Sequence, residues 1–169
     1  QHVRCVPVYE HLGTCFQADG SIDAEIRNRV SRAGLAYRQI TKLILRNRYI
    51  GVNVRLRLLD ALLMPVLLHG AGNWPLLTAQ QVQRLHTTYL KWIRTVVGNG
   101  FWAHNELSDV HLLMSWQMPS IELRLAKHRL LFAFHLFIDA PTQIIEMVTA
   151  PDEASCSWWK ALRQALTWL

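Results

Sequence analysis

The chain has 169 residues, 51% of them hydrophobic, with a net charge of +6 and a pI near 9.7. That length fits one domain, or a small unit with a tail, and allows a real buried core, while the apolar content excludes a disordered chain. The longest apolar run, Ala61 to Leu68, is interrupted by Pro65 and falls well short of the roughly 20 residues a membrane-spanning helix needs, so no membrane partner is expected.

Gln at position 1, without an initiator Met or a signal segment, leads to the expectation of an internal or C-terminal piece. Cys5, Cys15 and Cys156 form no CxxC pair, which suggests neither a disulfide framework nor a zinc site and fits a reducing intracellular compartment, nuclear or cytoplasmic. His104 and His111, and His128 and His135, are seven apart, yet neither pair has a third ligand at matching spacing, so metal binding is not expected.

In chain order, Val3 to Gln17 is β-branched and aromatic, broken by Pro7 and Gly13 and followed by Asp19-Gly20, which predicts a short hairpin or two extended segments. A long helix follows to about Asn47, with Ser21 as N-cap and Asp23 and Glu25 in its first turn. Its apolar positions Ile26, Val30, Ala33, Tyr37, Ile40 and Ile44 alternate spacings of four and three, the buried stripe of a bundle helix.

At about 100 degrees per residue, Arg27, Arg32, Arg38, Lys42 and Arg46 fall opposite that stripe. Nine of the 18 basic residues lie between Arg27 and Arg57, with no Asp or Glu among them. An uninterrupted basic block of this kind points to a phosphate backbone as partner ahead of a merely solvated face.

A second helix is expected from about Asn53 to His69, with Val54, Leu58, Leu59, Leu62 and Val66 inward and Pro65 kinking or ending it. A third should run from the cap Thr78 through Val82, Leu85, Tyr89, Trp92, Ile93 and Val96 to Gly98. A shorter one follows Ser108 to about Trp116, a fifth opens at Pro119 and reaches about Phe137, and Pro141 to Leu169 is weakly helical. The fold class is therefore mainly α, a helical bundle with a short N-terminal β-hairpin. Trp92, Trp102, Trp116, Trp158, Trp159 and Trp168 offer faces for stacking bases, but aromatics at helical spacing more often fill cores. No Gly-rich phosphate loop, nucleophile elbow or paired-acid motif stands out, and a turn and a helix cap account for Asp19, Asp23 and Glu25.

A series of short motifs adds to this reading: Tyr9-Glu-His-Leu-Gly-Thr, Gly20, Glu25-Ile26, Arg29, Ala33, Tyr37, then Leu67-Leu68-His69-Gly70-Ala71-Gly72 and Trp74. Their order and spacing resemble the region just downstream of the catalytic palm in LINE-type (non-LTR) retrotransposon reverse transcriptases. Leu85, Leu90, Ile93-Arg94 and Gly98 resemble the next family helix, and His128-Arg129-Leu130 with Phe134-His135 a later segment. The resemblance spans about Val8 to Phe137 and is strongest up to Trp74.

It implies that residues 1–20 are the end of the palm, 21–100 a thumb-like bundle and 101–169 a post-thumb helical region. His11, Leu12 and Gly13 take the place of the Tyr-Leu-Gly hairpin that looks like the primer grip of such polymerases. Arg55 or Arg57 stands where the family has a Lys before its Leu-rich helix. His11 and His69 replace usual tyrosines and Gly72-Asn73 replaces an acid and its neighbour, which fits a decayed copy as well as a divergent working one. The palm's aromatic-Ala-Asp-Asp motif is missing, so no cofactor is expected in this chain, although the parent enzyme would use Mg2+ at the palm.

Three functional expectations follow. The first is a palm-less fragment of an RNA-directed DNA polymerase, inactive alone, that grips an RNA/DNA or DNA duplex through Arg27, Arg32, Arg38, Lys42, Arg46, Arg55 and Arg57 and partners the rest of the polymerase. The second is a helical protein-interaction domain docking through Leu56 to Leu68, and the third a decayed remnant without function.

Overall fold

Two four-residue strands open the computed structural model, which describes residues 6–11, 13–98, 107–149 and 157–167, without the side chains of 147–149. Strands β1 (Val8–His11) and β2 (Thr14–Gln17) pair antiparallel, Val8 opposite Gln17 and His11 opposite Thr14. The tight connection holds Gly13 at φ +82°, a conformation that a Cβ disfavours. Asp19-Gly20 is the link from β2 to the first helix, with Gly20 at φ +72° and the Asp19 carboxylate accepting from Ser21 N at 2.9 Å.

Seven α-helices follow among the described residues: α1 (Asp23–Ile40), α2 (Val52–Leu67), α3 (Ala79–Val97), α4 (Asp109–Ser115), α5 (Ile121–Asp139), α6 (Thr142–Thr149) and α7 (Ser157–Leu166). The chain is thus mainly α with an N-terminal hairpin. The starts of three helices are fixed by side chains. Thr78 Oγ1 accepts from Gln81 N at 3.3 Å while Gln81 Oε1 accepts from Thr78 N at 2.9 Å, a reciprocal capping box. Ser108 and Ser120 each accept from the backbone N–H three residues on, His111 and Leu123, at 3.3 Å.

Two expectations about the early helices need correction. The first regular helix stops at Ile40 and continues as a single π-helical segment, Thr41–Leu45, in which Arg46 N donates to Thr41 O at 2.9 Å. Leu45 is fully buried in this segment while Ile40 and Ile44 are half-buried, and nothing in the apolar spacing marks the wider turn. In α2 the buried stripe is Leu56, Leu59, Leu63, Met64 and Leu67, whereas Val54 and Leu62 are exposed. The helix is apolar around most of its circumference, so spacing alone did not set its phase. Pro65 sits inside the last turn, and the helix ends two residues later at Leu67.

The contacts divide the chain into two units, residues 1–69 with 83–118 and residues 70–82 with 119–169. The expected thumb and post-thumb border near residue 100 falls at 99–106, outside the described residues. In the first unit α1 packs on α2, and the core holds Ile26, Leu45, Leu59, Leu63, Leu85, Tyr89, Ile93 and Leu112. Tyr37 of α1 stacks on Trp92 of α3 with ring centroids 5.5 Å apart, which makes Trp92 a core residue.

The second unit is built on α5 packed against α7 and against the 3-10 turn Ala71–Asn73. Trp158 Nε1 donates to Gly72 O at 2.9 Å, and Leu76 N donates to Ser157 O at 3.2 Å. Gly72 has no room for a side chain, since a Cβ there would lie 2.5 Å from Phe132 Cβ and 2.9 Å from His128 O. α5 closes this position to any side chain. A small cavity of about 110 Å³, lined mostly by Leu76, Leu77, Val82, Leu125 and Ala165, lies in this unit.

Candidate nucleic-acid interface

The hairpin is tied to α1 by side chains whose type was visible in the sequence but whose task was not. Arg29 Nε donates to Glu25 Oε1 at 2.5 Å, one turn apart on α1, and both residues are buried. The remaining Glu25 oxygen accepts from Cys15 N at 2.7 Å, and Arg29 Nη2 donates to Gly13 O at 2.7 Å. An ion pair out of water is stabilising only if its other lone pairs and protons find partners, and here the hairpin backbone supplies them. Ala24 N donates to Gln17 Oε1 at 2.6 Å, a further tie. Glu25 therefore does more than complement the helix dipole: it holds β2.

Above this buried clamp lies the basic face. Arg27, Arg32 and Arg38 on α1, Lys42 in the π segment and Arg46 just after it are all exposed, whereas Ile26 and Ala33 of α1 are fully buried. Arg57 on α2 is exposed as well. Among the described residues Arg27, Arg38, Lys42, Arg46, Arg48 and Arg57 pair with no acid. Arg32 differs, because its Nη2 pairs with Glu10 Oε1 on β1 and its Nε donates to Asn28 Oδ1 at 3.1 Å.

Arg55 does not belong to that face. It is 5% exposed, and its Nη1 donates to Leu45 O at 2.9 Å, closing the carbonyl end of the π segment. Loss of water around the guanidinium lowers its pKa from the usual arginine value. The sequence placed it outside because an arginine is ordinarily a surface residue, and without the phase of α2 no local signal could have located it inside.

Of the primer-grip-like residues, His11 is exposed at the end of β1, its ring 6.1 Å from that of Tyr9, and Gly13 forms the turn. Leu12 lies outside the described residues. Gly13 meets the basic face directly: a Cβ there would be 3.2 Å from Arg32 Nη1. The structure therefore brings the hairpin turn and Arg32 together.

Among the described residues the tryptophans pack against neighbouring side chains. Trp158 packs edge-on against Phe132 and Trp159, with centroids 5.9 and 5.2 Å apart, and Trp116 is half-buried. Trp102 and Trp168 lie outside the described residues. In the second unit Arg129 is buried, donates to Pro75 O at 3.3 Å and has its pKa lowered by desolvation, while burial, then Lys127 and Arg124, lowers that of His128. Among the described residues no group of three or more His, Cys, Asp and Glu side chains could hold a metal ion, and no helix is long and apolar enough to cross a membrane. His104 lies outside them.

Exposed cations on one helix face, without acids between them, can neutralise successive phosphates and displace counterions. Comparison of the chain with protein-family models, with curated proteins and with solved structures finds no match.

Proposed function

We propose that the chain is a thumb-like piece of a LINE-type RNA-directed DNA polymerase that lacks the catalytic palm and grips a nucleic-acid duplex through the basic residues of α1 and of the π segment that continues it. The observation that carries this reading is the exposure of Arg27, Arg32, Arg38, Lys42 and Arg46 in a stretch from Arg27 to Arg57 free of acids. The motif order from Tyr9 to Trp74 supports the polymerase assignment, and the fastening of the hairpin turn beside Arg32 suits an element that must be held near a primer end. Its working partners are an RNA/DNA or DNA duplex and the remainder of the polymerase, whose palm would supply the Mg2+ site. The test is titration of a labelled RNA/DNA primer-template at two salt concentrations: phosphate contacts require steep weakening with salt.

A protein-docking role is the second reading. Leu56, Leu59, Leu63 and Leu67 are consumed by the chain's own core, so the Leu56 to Leu68 segment offers little to a partner. What favours the reading is α5, where Leu123, Leu131, Phe134 and Ile138 are exposed and fall within about 80 degrees of one another on the helix. It predicts a complex indifferent to salt and to competing nucleic acid.

A further inference from the structure

The turn between α1 and α2 displays an aromatic ring to water: Tyr49 is 99% exposed. A single exposed aromatic on a loose loop would carry no meaning. This turn, however, is braced from three sides. Asn47 Nδ2 donates to Leu43 O at 3.2 Å, and Asn47 Oδ1 accepts from Tyr49 N at 2.9 Å, so one side chain fixes both the end of the π segment and the backbone that bears the ring. Ile50 N closes the turn on Asn47 O at 3.3 Å. From beneath, the buried Arg55 holds Leu45 O, a costly use of a guanidinium unless the position of that carbonyl matters.

The flanks of the ring are cationic. Arg46 and Arg48 are exposed on the N-terminal side of the ring in sequence, neither pairs with an acid among the described residues, and Lys42 lies one turn earlier. An exposed aromatic on a braced backbone, with cations next to it in sequence, suits an unpaired nucleotide: the ring accepts any base, and the arginines can take the neighbouring phosphates. A double-stranded stretch offers its phosphates to the α1 face but keeps its base faces stacked. The turn follows the π segment directly, so it adjoins Lys42 and Arg46 of the basic stretch that would hold the duplex.

We infer that the Arg46–Ile50 turn is a stacking contact for an unpaired base next to a duplex, with the Tyr49 ring on the base and Arg46 and Arg48 on the neighbouring phosphates. The inference rests on the duplex-grip reading of α1 and adds the single-strand junction to its substrate.

The full chain is titrated, by fluorescence anisotropy, against a blunt RNA/DNA duplex and against the same duplex with a short single-stranded overhang. The wild-type chain should bind the overhang duplex more tightly. Tyr49→Ala should weaken that binding on the order of tenfold, leave the blunt duplex and the salt slope unchanged, and unfold at the wild-type temperature because the ring is fully exposed; Tyr49→Phe should keep the preference. Equal binding of the overhang by wild type and Tyr49→Ala, or a Tyr49→Phe chain as weak as Tyr49→Ala, overturns the stacking contact and leaves the duplex grip standing. Failure of the folded wild-type chain to bind either duplex overturns both.

Discussion

Glu25 and Arg29, one turn apart on α1, form a buried ion pair whose outer atoms hold the hairpin: Glu25 takes Cys15 N and Arg29 takes Gly13 O. The pair converts a small two-stranded ribbon, marginal by itself, into a fixed extension of a helix. Removing one partner leaves the other charge buried and unpaired. Arg29→Met should therefore lower the unfolding free energy by about 3–5 kcal/mol in urea titration, whereas Arg27→Met on the exposed face should stay within about 0.5 kcal/mol of wild type. Similar effects at both positions would contradict the clamp.

The phase of α2 makes a second comparison. Leu63 is fully buried and Leu62 is 43% exposed, although both are leucines in one apolar run. Leu63→Ala should cost about 2–5 kcal/mol and Leu62→Ala under about 1 kcal/mol. The reverse order in thermal or urea unfolding would restore the phase that spacing suggested.

What the sequence made legible follows from the physics of each signal. The hairpin and the start of α3 were readable because Gly13 and Thr78 act locally, through backbone conformation and capping, while α5, expected to open at Pro119, starts at Ile121 because Ser120 caps it. The basic face was readable because the stripe from Ile26 to Ile44 has a regular period. The interior arginines were not: Arg29 and Arg55 look like any other members of the basic block, and only the fold decides which guanidinium meets carbonyls and which meets water. The π segment was hidden for a related reason, since one extra residue in a turn leaves no mark in residue type.

Gly72 illustrates a constraint imposed from far along the chain. Phe132 and the His128 carbonyl fill the space where a Cβ would stand. Gly72→Ala should destabilise the second unit by about 1–3 kcal/mol through overpacking, read as a lowered midpoint of unfolding. A neutral effect would mean that α5 yields at little cost.

Glu10 competes for Arg32 with any phosphate that approaches the α1 face. Both partners are exposed, so the pair is weak, and its removal should be felt in binding more than in folding. Glu10→Gln is expected to tighten duplex binding by about twofold to fivefold at low salt, with unfolding unchanged. Weaker binding by a folded Glu10→Gln chain would show that Arg32 needs Glu10 to hold its place.

The most direct measurement compares the salt dependence of duplex binding by the wild-type chain and by a variant carrying Arg27→Gln, Arg32→Gln, Arg38→Gln, Lys42→Gln and Arg46→Gln. If this basic stretch grips phosphates, the plot of log affinity against log salt should be steep for the wild type and shallower by about 4.5 in slope for the variant, roughly 0.9 for each of the five phosphates that the variant leaves unneutralised. Identical slopes from two folded proteins would contradict the duplex grip.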